Sequence, residues 1–600
     1  MNWPSIRCCK PDRFALSLSI IVTLCFTPNL IWAQATAADA HAALFEANPY
    51  PSATTCKTCH PVQYEEWSVS PHAYAQLSPV FNSMHATLIK LTNGSQGDFC
   101  IRCHTPVGMN LGEPVIMSNL DRHPTSREGV TCVVCHRREQ PYGKISGRLG
   151  LVEGDIFESV FGPKGNEELR RVIESGEYAI NTERGHSGRA IHNRAQKLDQ
   201  MSTSGFCGSC HDVNTVNGFR LEEAFSEYKS SPAARKGVSC QDCHMGREPG
   251  VPTGYAEGPA AIVGGEPTRP RRHANHMLVG PDYSIVHPGL FPHNPTAHKL
   301  ASMREWLSFD HKAGWGTDVF EDYLPDGFVF PERWSSISDR YEARSILNEN
   351  LVLLERSAVQ RMKLLRAGYQ LGRIIVDRAD KNEIQFRVEV KNGTEGHNVP
   401  TGFDAERIVF LRVTVSDLDG NVVFKSGDLD PNGDLRDSHS IYVHNGELPV
   451  DKHLFSLQSK FLLNMVRGGE REQVLPINYS QDPLPFERPS TSSSLLLGRP
   501  QGARKHRRTI RPLDSTWAKY RVTAAQLAGT EGPYKANIKL TAGMVPVNLV
   551  YAIKDVGFDY GMSARQVADA VVGGHQILWE RDVVLQSKST DYDGKQIAKE

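Results

Sequence analysis

Five times the chain spells Cys-x-x-Cys-His: at Cys56, Cys59 and His60; Cys100, Cys103 and His104; Cys132, Cys135 and His136; Cys207, Cys210 and His211; and Cys240, Cys243 and His244. Two thiols three positions apart share one helical face, so both can add to the vinyl groups along one edge of a haem. The imidazole that follows the second thiol then reaches the iron as proximal ligand. Zinc sites and redox dithiols also use Cys-x-x-Cys, but neither explains a histidine after the second cysteine each time. Ten of the 13 cysteines belong to these motifs, and Cys8, Cys9 and Cys25 are the remainder. The expected cofactor is therefore haem c, five copies, covalently held.

The three spare cysteines lie in a segment with the grammar of an export signal. Arg7, Lys10 and Arg13 precede an apolar run from Phe14 to Phe26, and Ala33-Gln34-Ala35 has the small-x-small form of a cleavage site. Residues 1–35 are read as a signal peptide, which sends the chain to the periplasm or the cell exterior. Cys25 as a lipoprotein cysteine is the competing reading, against which Val22-Thr23-Leu24 lacks small residues. Later stretches fall short of the roughly 20 apolar residues of a membrane span. Loss of Arg7, Lys10, Arg13 and Asp12 with the signal takes the formal net charge from −1 to −3. Haem propionates add negative charge, which argues against nucleic acid or an anionic membrane as partner and leaves other redox proteins as donor and acceptor.

The elements that must position these groups change character along the chain. Residues 36–300 are dense in Cys, His, Pro and Gly, as expected where porphyrins, not Leu and Ile, fill the interior. An internal repeat runs through this part. Phe99-Cys100-x-x-Cys103-His104 leads to Gly129-Val130-Thr131-Cys132, and Phe206-Cys207-x-x-Cys210-His211 leads to Gly237-Val238-Ser239-Cys240. The repeat predicts a two-haem module used twice, with the Cys56 haem ahead of it.

Residues 53–300 resemble the multihaem cytochrome c family related to cytochrome c554. The likeness rests on Cys56-Lys57-Thr58-Cys59-His60 leading through Tyr64 and Trp67 to Ser70-Pro71-His72-Ala73, and on the Gly-Val-[Thr/Ser]-Cys form of the third and fifth motifs. The resemblance implies irons ligated mostly by two histidines, haems stacked in close pairs, and electron carriage. Some relatives of that family are enzymes of nitrogen or sulfur chemistry, so the resemblance alone leaves catalysis open.

Eighteen histidines stand outside the motifs. His72 matches the family motif and is the first choice as a distal ligand. His85 echoes its context, and His273 or His276 is a further candidate. His123, His186, His192, His287, His293 and His298 form a wider pool, and Met84, Met109 and Met245 are thioether alternatives.

Residues 301–368 read as an aromatic-rich cover followed by a long connecting helix, capped by Ser338, running to about Ala367 and ended by Gly368. Residues 369–600 alternate with period two in Ile384–Val390 and Ile408–Val415, turn at Asp419-Gly420, and continue through Val422–Phe424, Tyr534–Leu540 and Val547–Ile553. The fold class is thus a multihaem cytochrome domain, mostly irregular with short helices, then a long helix, then an antiparallel β-rich, sandwich-like domain.

Three features of the β-rich part invite function. The loop Gly396-His397-Asn398-Val399-Pro400-Thr401-Gly402 looks like one that accompanies multihaem domains, and would let His397 reach a haem as distal ligand; a plain turn with a surface histidine is the alternative. Asp428, Asp430, Asn432 and Asp434 around Gly433 imitate the start of a Ca²⁺ loop, although His439 stands where the final Glu belongs. Arg504-Lys505-His506-Arg507-Arg508 is either a dock for an acidic redox partner or an exposed loop.

The sequence thus favours an electron-transfer wire. Its rival is a multihaem oxidoreductase in which one open haem acts on a small nitrogen or sulfur compound. Against the rival, all five motifs end in His, whereas the resembling nitrite reductases carry Lys at the catalytic haem; hydroxylamine-oxidising relatives keep His. A subunit polymerising through its terminal haems would need a distal His from a neighbouring chain.

Overall fold

The structure is a computed structural model that describes residues 49–138, 149–214, 220–464, 470–473, 503–586 and 590–592. The export signal and the Ser-rich stretch lie outside them. The N-terminal part is built from helices of one to three turns, because prolines and caps restart the chain at short intervals. Pro61, Pro71, Pro79, Pro106, Pro124 and Pro232 each open a helix at its first position. Ser52, Ser70, Ser78 and Ser231 cap helices through their side chains.

The longest helix, Ile337–Gly368, is capped by Ser336, whose side chain accepts from the Asp339 amide, two residues earlier than Ser338. Gly368 is its last residue, and a strand follows directly at Tyr369. Its first half packs Ala343, Ile346 and Leu347 against Trp306, Phe309, Trp315 and Trp334 of the aromatic segment, and against Tyr64, Trp67 and Tyr74. Arg340, buried in this cluster, is paired with the equally buried Glu321, an arrangement that is costly to break at either end.

The C-terminal part contains two four-stranded antiparallel sheets. The strands of these two sheets are β1 (Tyr369–Ala379), β2 (Glu383–Asn392), β3 (Ile408–Ser416), β4 (Val422–Ser426), β5 (Ser515–Thr523), β6 (Tyr534–Gly543), β7 (Gln576–Leu585) and β8 (Thr590–Tyr592), and a third, three-stranded sheet joins Lys460–Asn464, Glu470–Gln473 and Ala503–His506. One sheet has the order β5-β2-β1-β8 and the other β4-β3-β6-β7. Both draw on one apolar core, Ile374, Ile384, Phe386 and Val388 from the first sheet and Leu411, Val413, Ile538 and Leu540 from the second. Strict alternation fixes the register: Leu411 faces Leu540, and Phe386 faces Tyr520 with stacked rings 5.0 Å apart.

Val547–Ala552 is a helix, not the expected strand. Val547, Leu549, Val550 and Ile553 are all buried, and in so short an apolar run periodicity does not separate strand from helix. With Val567, Ala568 and Val571 it packs on Val80, joining the C-terminal part to helix Pro79–Leu91.

Leu411, fully buried in the shared core, and Leu418, 57% exposed, give a paired test. Leu411→Ala is expected to cost roughly 2–5 kcal/mol and Leu418→Ala less than about 0.5 kcal/mol, read by urea unfolding followed by circular dichroism.

Candidate functional site

All ten motif cysteines and all five motif histidines line a cavity of about 1630 Å³. The sequence folds this way locally because each motif forms or flanks one helical turn: Ala53–Lys57, Ile101–His104, Cys132–His136, Ser204–Gly208 and Cys240–His244. Ser239 and Asp242 fix the last of these with a reciprocal capping box. The ten thiols are free.

Four of the motif imidazoles have a partner at Nδ1, away from Nε2, and the fifth has a backbone partner. Nδ1–H of His60 donates to the Ala260 carbonyl at 2.8 Å, that of His104 to Ala75 at 3.1 Å, and that of His136 to Phe161 at 2.8 Å. His244 is hydrogen-bonded to the Val279 backbone. His211 differs, since its Nδ1 faces the Glu222 carboxylate at 3.2 Å. A ring anchored through Nδ1 has Nε2 as its metal-binding nitrogen. Burial pulls the pKa of His60 and His104 down, and that of His136 and His244 to about 4, so these rings are neutral, as ligands must be. Burial works the same way on His211, but Glu222 outweighs it and raises the pKa to about 9.

The thiols show how the motifs neighbour one another. Cys56 is in hydrogen-bond contact with Cys132, Cys103 with Cys210, and Cys207 with Cys240. Cys135 lies within the electrostatic reach of Cys210. Contacts therefore run from the first motif to the third, on to the fourth, and from the fourth to both the second and the fifth. The repeat predicted modules of second with third and fourth with fifth. The latter pair meets, whereas no thiol hydrogen bond joins the second motif to the third among the described residues, because long-range packing sets the neighbours.

Four further histidines stand opposite motif histidines. The His72 ring lies 6.1 Å from that of His211, centre to centre, and the His397 ring 6.3 Å from that of His244. Both are fully enclosed; burial, then repulsion from His211, His104 and His244, holds the His72 pKa near about 3. His397 is fixed by its Nδ1–H donating to the Asn398 carbonyl at 2.7 Å, and the Asn392 side chain ties its own carbonyl at 2.9 Å. His192 is held at about 4 by burial and by charge repulsion from His60 and then His136. His276 in turn acts on His136 and His60.

Two sequence candidates are otherwise engaged. His273 gives Nε2–H to the buried Glu66 carboxylate at 3.0 Å and accepts from Gln63 at Nδ1. It is a hydrogen-bond prop for the neighbouring His276, whose amide also donates to Glu66 at 2.9 Å. Burial works to raise the Glu66 pKa, but His273 and His276 outweigh it and hold it near about 2. His85 gives Nε2–H to the Val115 carbonyl at 2.8 Å, and its buried Nδ1 has no hydrogen-bond partner. In the wider pool, His287 and His293 donate to the Phe309 and Ala73 carbonyls, and His123 caps a helix.

The Ca²⁺ reading fails on its donors. Asp428 pairs with Arg436, and Asp430 accepts from the Asn432 and Asp434 amides and from Ser440. Burial and the charges of Asp437 and Asp430 push the Asp434 pKa up to about 8, which favours the uncharged acid over a cation ligand. Two members of the basic run are engaged within the protein, Lys505 with buried Asp404 at 2.6 Å and Arg507 with buried Glu223, while His506, Arg507 and Arg508 are exposed.

Sequence reasoning missed the supporting groups, Ala75, Phe161, Ala260, Val279 and Glu222. Four act through backbone atoms, which carry no side-chain signal. Among the described residues no helix is long and apolar enough to cross a membrane.

Residues 55–137 match the family described as cytochrome c554 and c-prime. No curated protein matches the chain. Among solved structures, the chain is similar to a penta-heme cytochrome c552 from Thermochromatium tepidum, at 16% identity and a TM-score of 0.47, over 89% of this chain and 98% of that one.

Arg507→Ala would strand Glu223 without its cation, at a cost of roughly 1–3 kcal/mol. A lowered Tm is the expected result; an unchanged Tm would mean that Arg507 is free for docking.

Proposed function

By its segment 55–137 the chain is a multihaem c-type cytochrome, and from that premise we propose that it carries five covalent haems and passes electrons between redox proteins outside the cytoplasm. The observation that carries this reading is one cavity lined by five Cys-x-x-Cys-His motifs, with the imidazoles of four anchored through Nδ1 and that of His244 hydrogen-bonded to the Val279 backbone. Each cysteine pair would hold one haem by two thioethers, and each motif histidine would be its proximal ligand. When bound, the haems supply one-electron chemistry. What the chain's own residues do is hold them close together, orient their imidazoles and, at His60, His104, His136 and His244, keep the ring neutral.

Distal ligands follow from ring spacing. Two nitrogens about 2 Å from one metal, with ring centres about 1 Å behind them, put the centres about 6 Å apart. The pairs His72 with His211 and His397 with His244, at 6.1 and 6.3 Å, suit that arrangement. We assign His192 and His276 to the irons of His60 and His136, since each of the two acts on both of those imidazoles. The fourth motif, in thiol contact with the second and fifth and within reach of the third, would be the junction of the wire. In this reading the two sheets form a sandwich whose loop supplies His397, and residues 1–35 direct export.

One observation favours a second reading for one haem. His104 faces Phe81, stacked on its ring at 3.7 Å, where His211 and His244 face histidine rings; His85, which acts on His104, gives Nε2–H to Val115 and has only its buried Nδ1 without a partner. The iron of His104 would be five-coordinate and open to a small nitrogen or sulfur compound.

Electron paramagnetic resonance on the isolated protein is expected to show four low-spin ferric haems and one high-spin ferric haem, the latter shifting with nitrite or hydroxylamine. Five low-spin signals would remove the open iron and leave a pure carrier. His72→Ala and His397→Ala should each turn one low-spin signal high-spin, and an unchanged spectrum defeats that assignment. Glu222→Gln removes the negative partner of His211, which stabilises ferric iron, so one haem potential is expected to rise in a redox titration.

A further inference from the structure

Glu406 has no counterpart among the other polar groups of the cavity wall. It closes the short turn Asp404–Glu406 between β2 and β3, is 3% exposed, and lines the same cavity as the motif residues. Neither of its carboxyl oxygens has a hydrogen-bond partner. Folded proteins rarely bury a carboxyl without partners, and where they do the group has redox or catalytic work.

The cations that would neutralise it are committed elsewhere. Arg407 forms a two-pronged pair with Asp282, at 2.5 and 3.1 Å. Lys460 gives its ammonium to Asp437 at 2.8 Å, and Lys505 gives its own to Asp404 at 2.6 Å. Burial, helped by the charge of Asp404 and opposed by Arg407 and Lys460, pushes the Glu406 pKa up to about 8. Around Arg407 stand Asp282, Glu222 and Tyr369. Asp282 and Glu222 also act on the His104 imidazole, which places this corner of the wall beside the second motif.

We propose that Glu406 is a redox-coupled proton acceptor: its carboxylate takes one proton from water when an electron from a reductant protein enters the haem of the second motif. The inference rests on the haem reading above. Its balance is simple. The iron goes from ferric to ferrous with the partner's electron, the carboxylate gains an O–H bond with the solvent's proton, and no other bond is made or broken. The cavity then gains no net charge on reduction.

The sign follows from linkage. Below about pH 8 the acid is already protonated in the oxidised protein, reduction takes up no proton, and the potential is flat. Above it the carboxylate's negative charge disfavours the incoming electron, so the potential falls as pH rises until the reduced-state pKa is passed.

The test is a spectroscopic redox titration of the haem-loaded protein from about pH 6 to about pH 10, on wild type, Glu406→Gln, Glu406→Asp and the exposed control Glu531→Gln. Wild type and E531Q should show one component that falls above about pH 8; E406Q should hold it flat, and E406D should keep a slope. Reduced-minus-oxidised infrared spectra of wild type at alkaline pH provide a readout that needs no variant, a protonated-carboxyl band appearing on reduction. A wild type that is flat in this range, a slope retained in E406Q, or the absence of that band overturns the inference. If haem counting by mass returns five haems in such a case, only this inference falls; a protein without covalent haem would take the parent reading with it.

Discussion

Everything in the N-terminal part answers to one constraint: several imidazoles must be buried together, uncharged, each with one nitrogen satisfied and the other left for metal. Protonated, they would repel one another in a poorly solvated space, and burial therefore pulls His72, His136, His192 and His244 to a pKa of about 4 or below. The carbonyls of Ala75, Phe161 and Ala260 take the Nδ1 protons. The short helices and many prolines serve this end, because each loop must bring a carbonyl to a ring.

His211 departs from that rule in the one place where the motifs converge. Its partner is the Glu222 carboxylate, and Glu222 also acts on Arg407 and His104. Charge is thus concentrated at the fourth motif and beside the second, where Asp282 and Arg407 meet. An extra negative partner on an axial histidine favours the oxidised iron, so the junction of the wire would differ in potential from its arms.

The β-rich part does more than stand beside the haem part. Its own core is conventional, two sheets sharing Leu411, Leu540, Phe386 and their neighbours. Its edges carry the chemistry: the 393–402 loop brings His397 to His244, Asp404–Glu406 brings a lone carboxyl to the cavity wall, and Val547–Ala552 packs on the helix that carries Phe81 and His85. Glu227 joins the two parts by accepting from Asn398 and Thr401. A rigid sheet core holds these loops in register with groups far away in the chain.

The Cys-x-x-Cys-His spacing decided the cofactor and its attachment points before any fold was known, because both thiols and the proximal imidazole lie within five consecutive residues. Period-two patterning likewise revealed β2, β3 and β6, since a half-buried strand must alternate. Tertiary structure decided which histidine faces which motif. His72 and His211 are 139 positions apart and His244 and His397 are 153 apart; the loop around His397 marked it as a candidate, but not which motif it meets, and nothing local showed that His273 meets Glu66. It decided which motif thiols meet as well. The physical reason is one of range: covalent chemistry and backbone periodicity are written in adjacent residues, whereas the environment of a buried imidazole or carboxyl belongs to whatever the folded chain packs around it.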